Sequence, residues 1–188
     1  MEVSTTSLPG VLLLTPKRFR DERGFFQQLY HSSDYAAAGI DQPFAQDNLS
    51  FSGSGVLRGL HFQHPMPQGK LVTVLAGAIF DVAVDIRRGS PTFGRWFGVE
   101  LSADNGHQLW IPGGFAHGFC VMGESALCHY KCTGLYAPEY EAAIRWNDPQ
   151  LAIDWPVTNP VVSEKDASAS TLAELDPDRL PVYISECS

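Results

Sequence analysis

A histidine at position 61 stands near the end of Gly55-Val56-Leu57-Arg58-Gly59-Leu60-His61-Phe62-Gln63, and Gly69-Lys70 follows it closely. A second histidine sits in Ile111-Pro112-Gly113-Gly114-Phe115-Ala116-His117-Gly118-Phe119. Imidazole gains and loses protons near neutral pH, and a lysine ammonium is a compact positive charge. In one pocket, such a base and such a charge can remove a proton from a carbon beside a ketone and hold the enolate oxygen that forms. That is the chemistry these residue types suggest.

Composition narrows the setting. The chain has 188 residues and no Pro/Ser-rich linker, which predicts one domain over residues 1–188 with a sizeable core. A net charge of −8 argues against a nucleic-acid partner, so any positive charges that receive an anionic ligand are few and placed. Cys120, Cys128, Cys132 and Cys187 form no CxxC pair and read as reduced, buried thiols. Cys128 and Cys132 flank His129, but structural zinc sites usually have four ligands at tighter spacing, and no metal is expected. Without a signal segment or an apolar run of the ~20 residues a bilayer requires, the expectation is a cytoplasmic protein with no membrane contact.

The elements that must position the two histidines read as strands. Val11 to Leu14, Leu71 to Leu75, Ala78 to Ile86, Trp96 to Leu101, Gln108 to Ile111, Phe119 to Met122, Ala126 to Thr133 and Ala142 to Trp146 are short, apolar and broken by turns, among them Ala76-Gly77 and Arg88-Gly89-Ser90-Pro91. Long helical periods are missing between them. An all-β antiparallel sandwich or barrel follows. Ser32-Ser33-Asp34 before Tyr35-Ala36-Ala37-Ala38-Gly39 predicts one short helix with an N-cap and a C-terminal glycine, and Ser163-Glu164-Lys165-Asp166 matches a capping-box start.

Strand alternation assigns faces. Cys128, Tyr130 and Cys132 share one face, and Leu127, His129 and Lys131 the other, so an interior cysteine face would turn Tyr130 inward. His61 and Gln63 share a face opposite Phe62. Arg58 falls on the other parity unless Gly59 marks a bulge. Gln46-Asp47-Asn48-Leu49-Ser50 supplies polar side chains that suit a turn or a pocket equally. Lys17 to Phe26 reads as an exposed hairpin turning at Gly24; a sharper reading gives Arg23 to a phosphate and Phe19 to a base.

Gly106-x5-Pro112-x-Gly114-x2-His117 resembles the second cupin motif up to its histidine, with Val121 in place of the usual asparagine. The first cupin motif offers two histidines and a glutamate to a metal. Here Gln63 takes the second histidine position and Lys70 roughly the glutamate's, and a lysine repels a cation. Ten segments in order, including Asp21 to Phe26, Gln46-Asp47-Asn48, Val56 to Gln63, Gln68-Gly69-Lys70, Ile111 to Phe119, Tyr130-Lys131 and Ser163 to Asp166, resemble the dTDP-4-dehydrorhamnose 3,5-epimerase family from about Leu8 to Leu175.

The resemblance implies a cupin-type jelly-roll β-barrel with short peripheral helices and a homodimer whose N-terminal strand is exchanged. It implies dTDP-4-dehydro-6-deoxy-D-glucose as substrate, with no cofactor. By the same resemblance His61 is the base and Asp166 orients it, Lys70 holds the enolate oxygen, and Tyr130 returns a proton from the opposite face. Arg58 and Arg23 match diphosphate contacts, Arg23 from the neighbouring subunit; Phe19 and Tyr136 match positions around the thymine; Gln46, Asn48, Ser50 and His117 match the sugar pocket. Gln28 stands where the family often has a glutamate, which removes a charge near the nucleotide. Two other readings compete: a single-centre 3- or 5-epimerase for another deoxysugar, and a metal- or ligand-binding cupin using His61, His64 and His117.

Overall fold

The computed structural model describes residues 1–184, so Cys187 lies outside the described residues. Eleven strands and two short helices follow in the order β1 (Glu2–Thr5), β2 (Leu12–Thr15), β3 (Arg18–Asp21), β4 (Gly24–Gln27), α1 (Ser32–Ala37), β5 (Gln46–Gly53), β6 (Leu57–Gln63), β7 (Lys70–Asp85), β8 (Trp96–Ser102), β9 (Gln108–Ile111), β10 (Phe115–Cys132), β11 (Glu141–Ala143) and α2 (Glu164–Ala167). A nine-stranded antiparallel sheet orders β1-β2-β9-β7-β10-β6-β11, with β5 also on β10 and β8 also on β7, and β3 and β4 form a separate hairpin. This is the expected all-β architecture, a cupin-type jelly roll. Glu2–Thr5 pairs with β2 of its own chain.

Two expected hairpins are continuous strands. The turn predicted at Ala76-Gly77 is a kink inside β7, and Phe119 to Met122 and Ala126 to Thr133 both belong to β10. The register between β7 and β10 shifts from Val121↔Ile79 to Ala126↔Gly77. Gly77, at φ +74, faces Ser125 so closely that a Cβ would lie 1.9 Å from its carbonyl oxygen. A second shift, from Leu127↔Ala76 to Cys128↔Val74, leaves Leu75 as one extra residue on β7, and this part of the kink swaps the two faces of the strand. Val72 and Val74 before the kink and Ile79 and Ala83 after it therefore share the barrel core, together with Leu109, Ile111, Phe119, Val121 and Cys128. Lys70 and Asp81 are brought to one interior by the same kink.

On the other face of that sheet, Leu57, Leu60, Phe62, Val82 and Val84 pack against Ile144, Trp155, Leu172 and Leu180 of the C-terminal segment. Helix α1 is capped differently from the expectation. His31 is its N-cap and makes no side-chain cap bond, while Gly39 (φ +87) follows the C-cap as predicted. Cys120, Cys128 and Cys132 are buried free thiols. No helix among the described residues is long and apolar enough to cross a membrane.

Candidate active site

Strand β6 makes the first half of the site. Gly59 adopts φ +123, and the β6–β10 register runs His117↔His61 and then Phe119↔Arg58, one extra residue on β6. A Cβ on Gly59 would lie 2.5 Å from Gly118 Cα and 2.9 Å from the His117 carbonyl oxygen, so only glycine allows the strands this close. The bulge resolves the parity question: Leu57, Leu60 and Phe62 all point to the outer core, which leaves Arg58, His61 and Gln63 on the inner face.

The inner face opens on a cavity of about 280 Å³ lined by Gln46, Asn48, His61, Gln63, Lys70 and Tyr130, with Gln68, Cys132, Tyr136 and Glu141 completing the wall. Lys70 and Cys132 are direct partners across β7 and β10, and Gln46 and Asn48 come from β5, which is a strand and not a turn. The cysteine face of β10 is interior, and Tyr130 turns inward with it.

Behind His61, its Nε2 lies 2.6 Å from Asp166 Oδ1. Asp166 is buried and sits on α2, where Ser163 Oγ accepts its backbone N–H at 3.1 Å. The capping serine is as expected, but the Asp166 carboxylate does not turn back to the N-cap; its other oxygen accepts the Gly59 N–H at 3.3 Å. Burial alone would raise the Asp166 pKa. The bond from His61, its positive charge, the Gly59 N–H and the Ser163 hydroxyl outweigh that and hold the carboxyl below the usual range.

Lys70 and Tyr130 are perturbed in complementary ways. Burial pushes the Lys70 ammonium down, partly opposed by Cys132, Asp81 and Glu141. Burial pushes the Tyr130 phenol up, with Arg58 opposing. A phenol that keeps its proton and an ammonium that gives one up more easily than in water both suit a site where an enolate forms and is reprotonated.

Other expected residues lie elsewhere. His117 does not line the cavity: its ring is buried with Nε2 2.7 Å from Asp81 Oδ1, a satisfied interior histidine. Ser50 is also off the wall, its Oγ buried without a partner among the described residues. Arg58 bonds Ser52 Oγ through Nε at 2.9 Å and stays exposed near the Tyr130 side. Arg23 is on the exposed hairpin, paired with Asp21, and Phe19 and Gln28 line a separate hollow beside Lys17 and Asp34. Within one chain, then, Arg23, Phe19 and Gln28 do not meet the cavity.

Glu141, Gln63, Gln68 and Lys165 carry no site role in the sequence reading, although Gln63 shares the His61 face and Gln68 stands in a segment of the family resemblance. Glu141 Oε2 accepts the Tyr136 hydroxyl at 2.8 Å and a bond from Lys165. Burial works against its charge, but these two bonds and the nearby Lys165 and His61 charges keep its carboxyl below the usual range. Glu141 opens the three-residue β11 and Lys165 lies in the four-residue α2, elements too short to show a period. Among the described residues, no group of three or more His, Cys, Asp and Glu side chains converges as a metal site would require.

A jelly-roll barrel whose interior presents a His–Asp pair, an ammonium and a phenol to one cavity defines a cupin-type proton-transfer enzyme. The family model for dTDP-4-dehydrorhamnose 3,5-epimerase matches residues 5–174, and the chain belongs to that family of sugar-nucleotide isomerases. A dTDP-4-dehydrorhamnose 3,5-epimerase of Neisseria gonorrhoeae is 50% identical over the whole chain, which spans 57% of that protein's length. The crystal structure of the dTDP-6-deoxy-D-glucose-3,5-epimerase of Legionella pneumophila, in complex with dTDP-4-keto-L-rhamnose, superposes with a TM-score of 0.95 at 52% identity, covering 98% of this chain and 99% of that one. A dTDP-4-dehydrorhamnose 3-epimerase of Streptomyces niveus is 42% identical over 97% of this chain and 90% of its own.

Proposed function

We propose that this chain epimerises dTDP-4-dehydro-6-deoxy-D-glucose at C3 and C5 to dTDP-4-dehydro-L-rhamnose. The observation that carries the reading is the meeting of His61, backed by Asp166, with Lys70 and Tyr130 at a single cavity. The C4 ketone acidifies the hydrogens on C3 and C5. His61 removes each proton, and the Asp166 carboxylate stabilises the imidazolium and fixes the ring. Lys70 holds the enolate oxygen. Tyr130 delivers a proton from the other face, so the centre inverts instead of merely exchanging its hydrogen. Gln46 and Asn48 line the sugar end, and Tyr136 stands at the rim for the base.

The diphosphate reading for Arg58 and Arg23, and the base contacts of Phe19 and Gln28, rest on a homodimer. In its favour, the hairpin bearing Arg23 and Phe19 is a separate exposed sheet that gives no residue to the chain's own cavity, and β5, which bonds one strand only, turns Leu49 and Phe51 outward at 62% and 67% exposure. Exposed apolar residues of this size on a free strand edge suit burial against a second copy. A sugar-nucleotide substrate is consistent with a cytoplasmic enzyme.

The similarity to a 3-epimerase keeps inversion at C3 alone as the second reading. Incubation with dTDP-4-dehydro-6-deoxy-D-glucose in deuterated water, with the product trapped by a rhamnose-forming reductase, decides. Deuterium at C3 and C5 with L-rhamnose formed supports the double epimerase; label at C3 only supports the second reading; no label from the folded protein overturns both.

A further inference from the structure

Three glutamines line the cavity, and their amides hold the segment Gly134–Ala137 that carries Tyr136. Gln68 Nε2 donates to the Gly134 carbonyl at 2.7 Å. Gln46 Oε1 accepts the Tyr136 N–H at 2.9 Å. Gln63, only 6% exposed, does the most: Nε2 donates to the Leu135 carbonyl at 3.3 Å and to the Met66 carbonyl at 2.9 Å, and Oε1 accepts the Ala137 N–H at 3.0 Å. Beside this segment, Thr133 Oγ1 accepts the Gly69 N–H.

We propose that Gln63 is the positioning residue that sets Tyr136 over the substrate cavity, tying the strand that carries His61 to the strap Gly134–Ala137; this rests on the reaction proposed above. The chemistry selects an amide. Gln63 must donate to two carbonyls and accept from one N–H at the same time, which a carboxylate or a hydrocarbon cannot do. Leu135 and Tyr136 are 62% and 51% exposed, so burial of their side chains does little to anchor the strap, and its place depends on these bonds. Tyr136 in turn reaches Glu141 at 2.8 Å, so the strap ends on a carboxylate of the cavity wall. Gln63 also lines the cavity, so the double variant separates its hold on Tyr136 from a contact of its own with the nucleotide sugar.

The test is Gln63→Met, Tyr136→Ala and the double variant, assayed with dTDP-4-dehydro-6-deoxy-D-glucose, with amide hydrogen exchange at Ala137 followed in the free proteins. Loss of a buried set of bonds is expected to raise KM roughly tenfold in Gln63→Met with kcat within about threefold of the parent. Ala137 exchange should quicken, and in the Tyr136→Ala background Gln63→Met should add less than about twofold to KM, the mark of two residues acting as one unit. Fully multiplicative effects on KM, or unchanged exchange at Ala137, overturn the proposal, as does an equal loss in kcat with KM unmoved. If Gln63→Met does not fold, Gln68→Met should show the same pattern more weakly, and an unaltered KM and Gly134–Ala137 exchange there would overturn it. A parent protein that folds but leaves this sugar nucleotide untouched retires the reaction instead, while Ala137 exchange still decides whether Gln63 holds the strap.

Discussion

His61 and Asp166 meet at 2.6 Å although 105 positions of sequence separate them, and the pair joins a β-bulge to a helix of four residues. The carboxylate is buried and makes its strongest bond to this ring. Asp166→Asn preserves shape but offers an amide in place of the charge that stabilises the imidazolium. Turnover is expected to fall ~10²- to 10⁴-fold while substrate affinity changes little, as steady-state kinetics on the purified variant would show; near-parental kcat would remove Asp166 from the mechanism.

The same carboxylate links activity to acid stability. The folded pKa values of Asp166 and Glu141 lie below their ordinary values, so their contribution is complete above about pH 4–5 and is lost as pH falls through the folded pKa values. Melting temperature measured from pH 6 down to pH 2 should therefore decline, and the decline should be shallower in Asp166→Asn. Parallel curves for the two proteins would contradict this.

Lys70 has the opposite balance. Its ammonium is disfavoured by burial, so at neutral pH its charge costs folding free energy. Lys70→Met should lose ~10²- to 10³-fold in kcat yet raise the melting temperature by roughly 2–4 °C. Calorimetry beside kinetics checks the pair of effects, and a destabilised Lys70→Met would show that the ammonium's neighbours outweigh its desolvation.

Tyr130→Phe removes only the hydroxyl that keeps its proton through neutral pH. In deuterated water the variant should still exchange hydrogen into recovered substrate through His61, while net inverted product falls ~10²-fold or more. Mass spectrometry of substrate and product separates the two. Full inversion without the hydroxyl would reassign the acid.

Gly59→Ala should cost on the order of 2–4 kcal/mol, because the new methyl meets Gly118 and His117 backbone at φ +123. Gly123→Ala is the control, with nothing within 4 Å of the added carbon. Equal melting temperatures for both variants would show that β6 and β10 can separate at little cost.

Much of this site was legible because alternation is local. Tyr130 and Cys132 share the interior face that period two assigned them, and Gly59 is the bulge that Arg58's parity required. Ala76-Gly77 is a kink and not a turn, because a glycine at positive φ serves both equally, and only the partner strand shows the strand continuing with Leu75 as its extra residue. Asp166 carried a sufficient local role in capping, which concealed its bond to His61; the family resemblance supplied what spacing could not. Glu141 and Lys165 left no local trace, since their meeting joins β11 to α2, two elements too short to show a period. His117 matched a motif written for a ligand, yet in this barrel its ring is occupied by Asp81.

Helix α2 comes after every strand of the barrel in the chain, and the residues before it already contain His61, Lys70 and Tyr130. Synthesis runs from the N-terminus and domains begin to form before it ends. The Asp166 carboxylate that meets the His61 ring is thus the last of these groups to leave the ribosome. The closing segment is tied to the barrel where Val161 bridges to Val56 and α2 lies against β6. A chain clipped ahead of Ser163 loses both the carboxylate that meets His61 and the Leu172 and Leu180 side chains packed with Leu57, Leu60 and Phe62, so one closing segment completes the site and the core together.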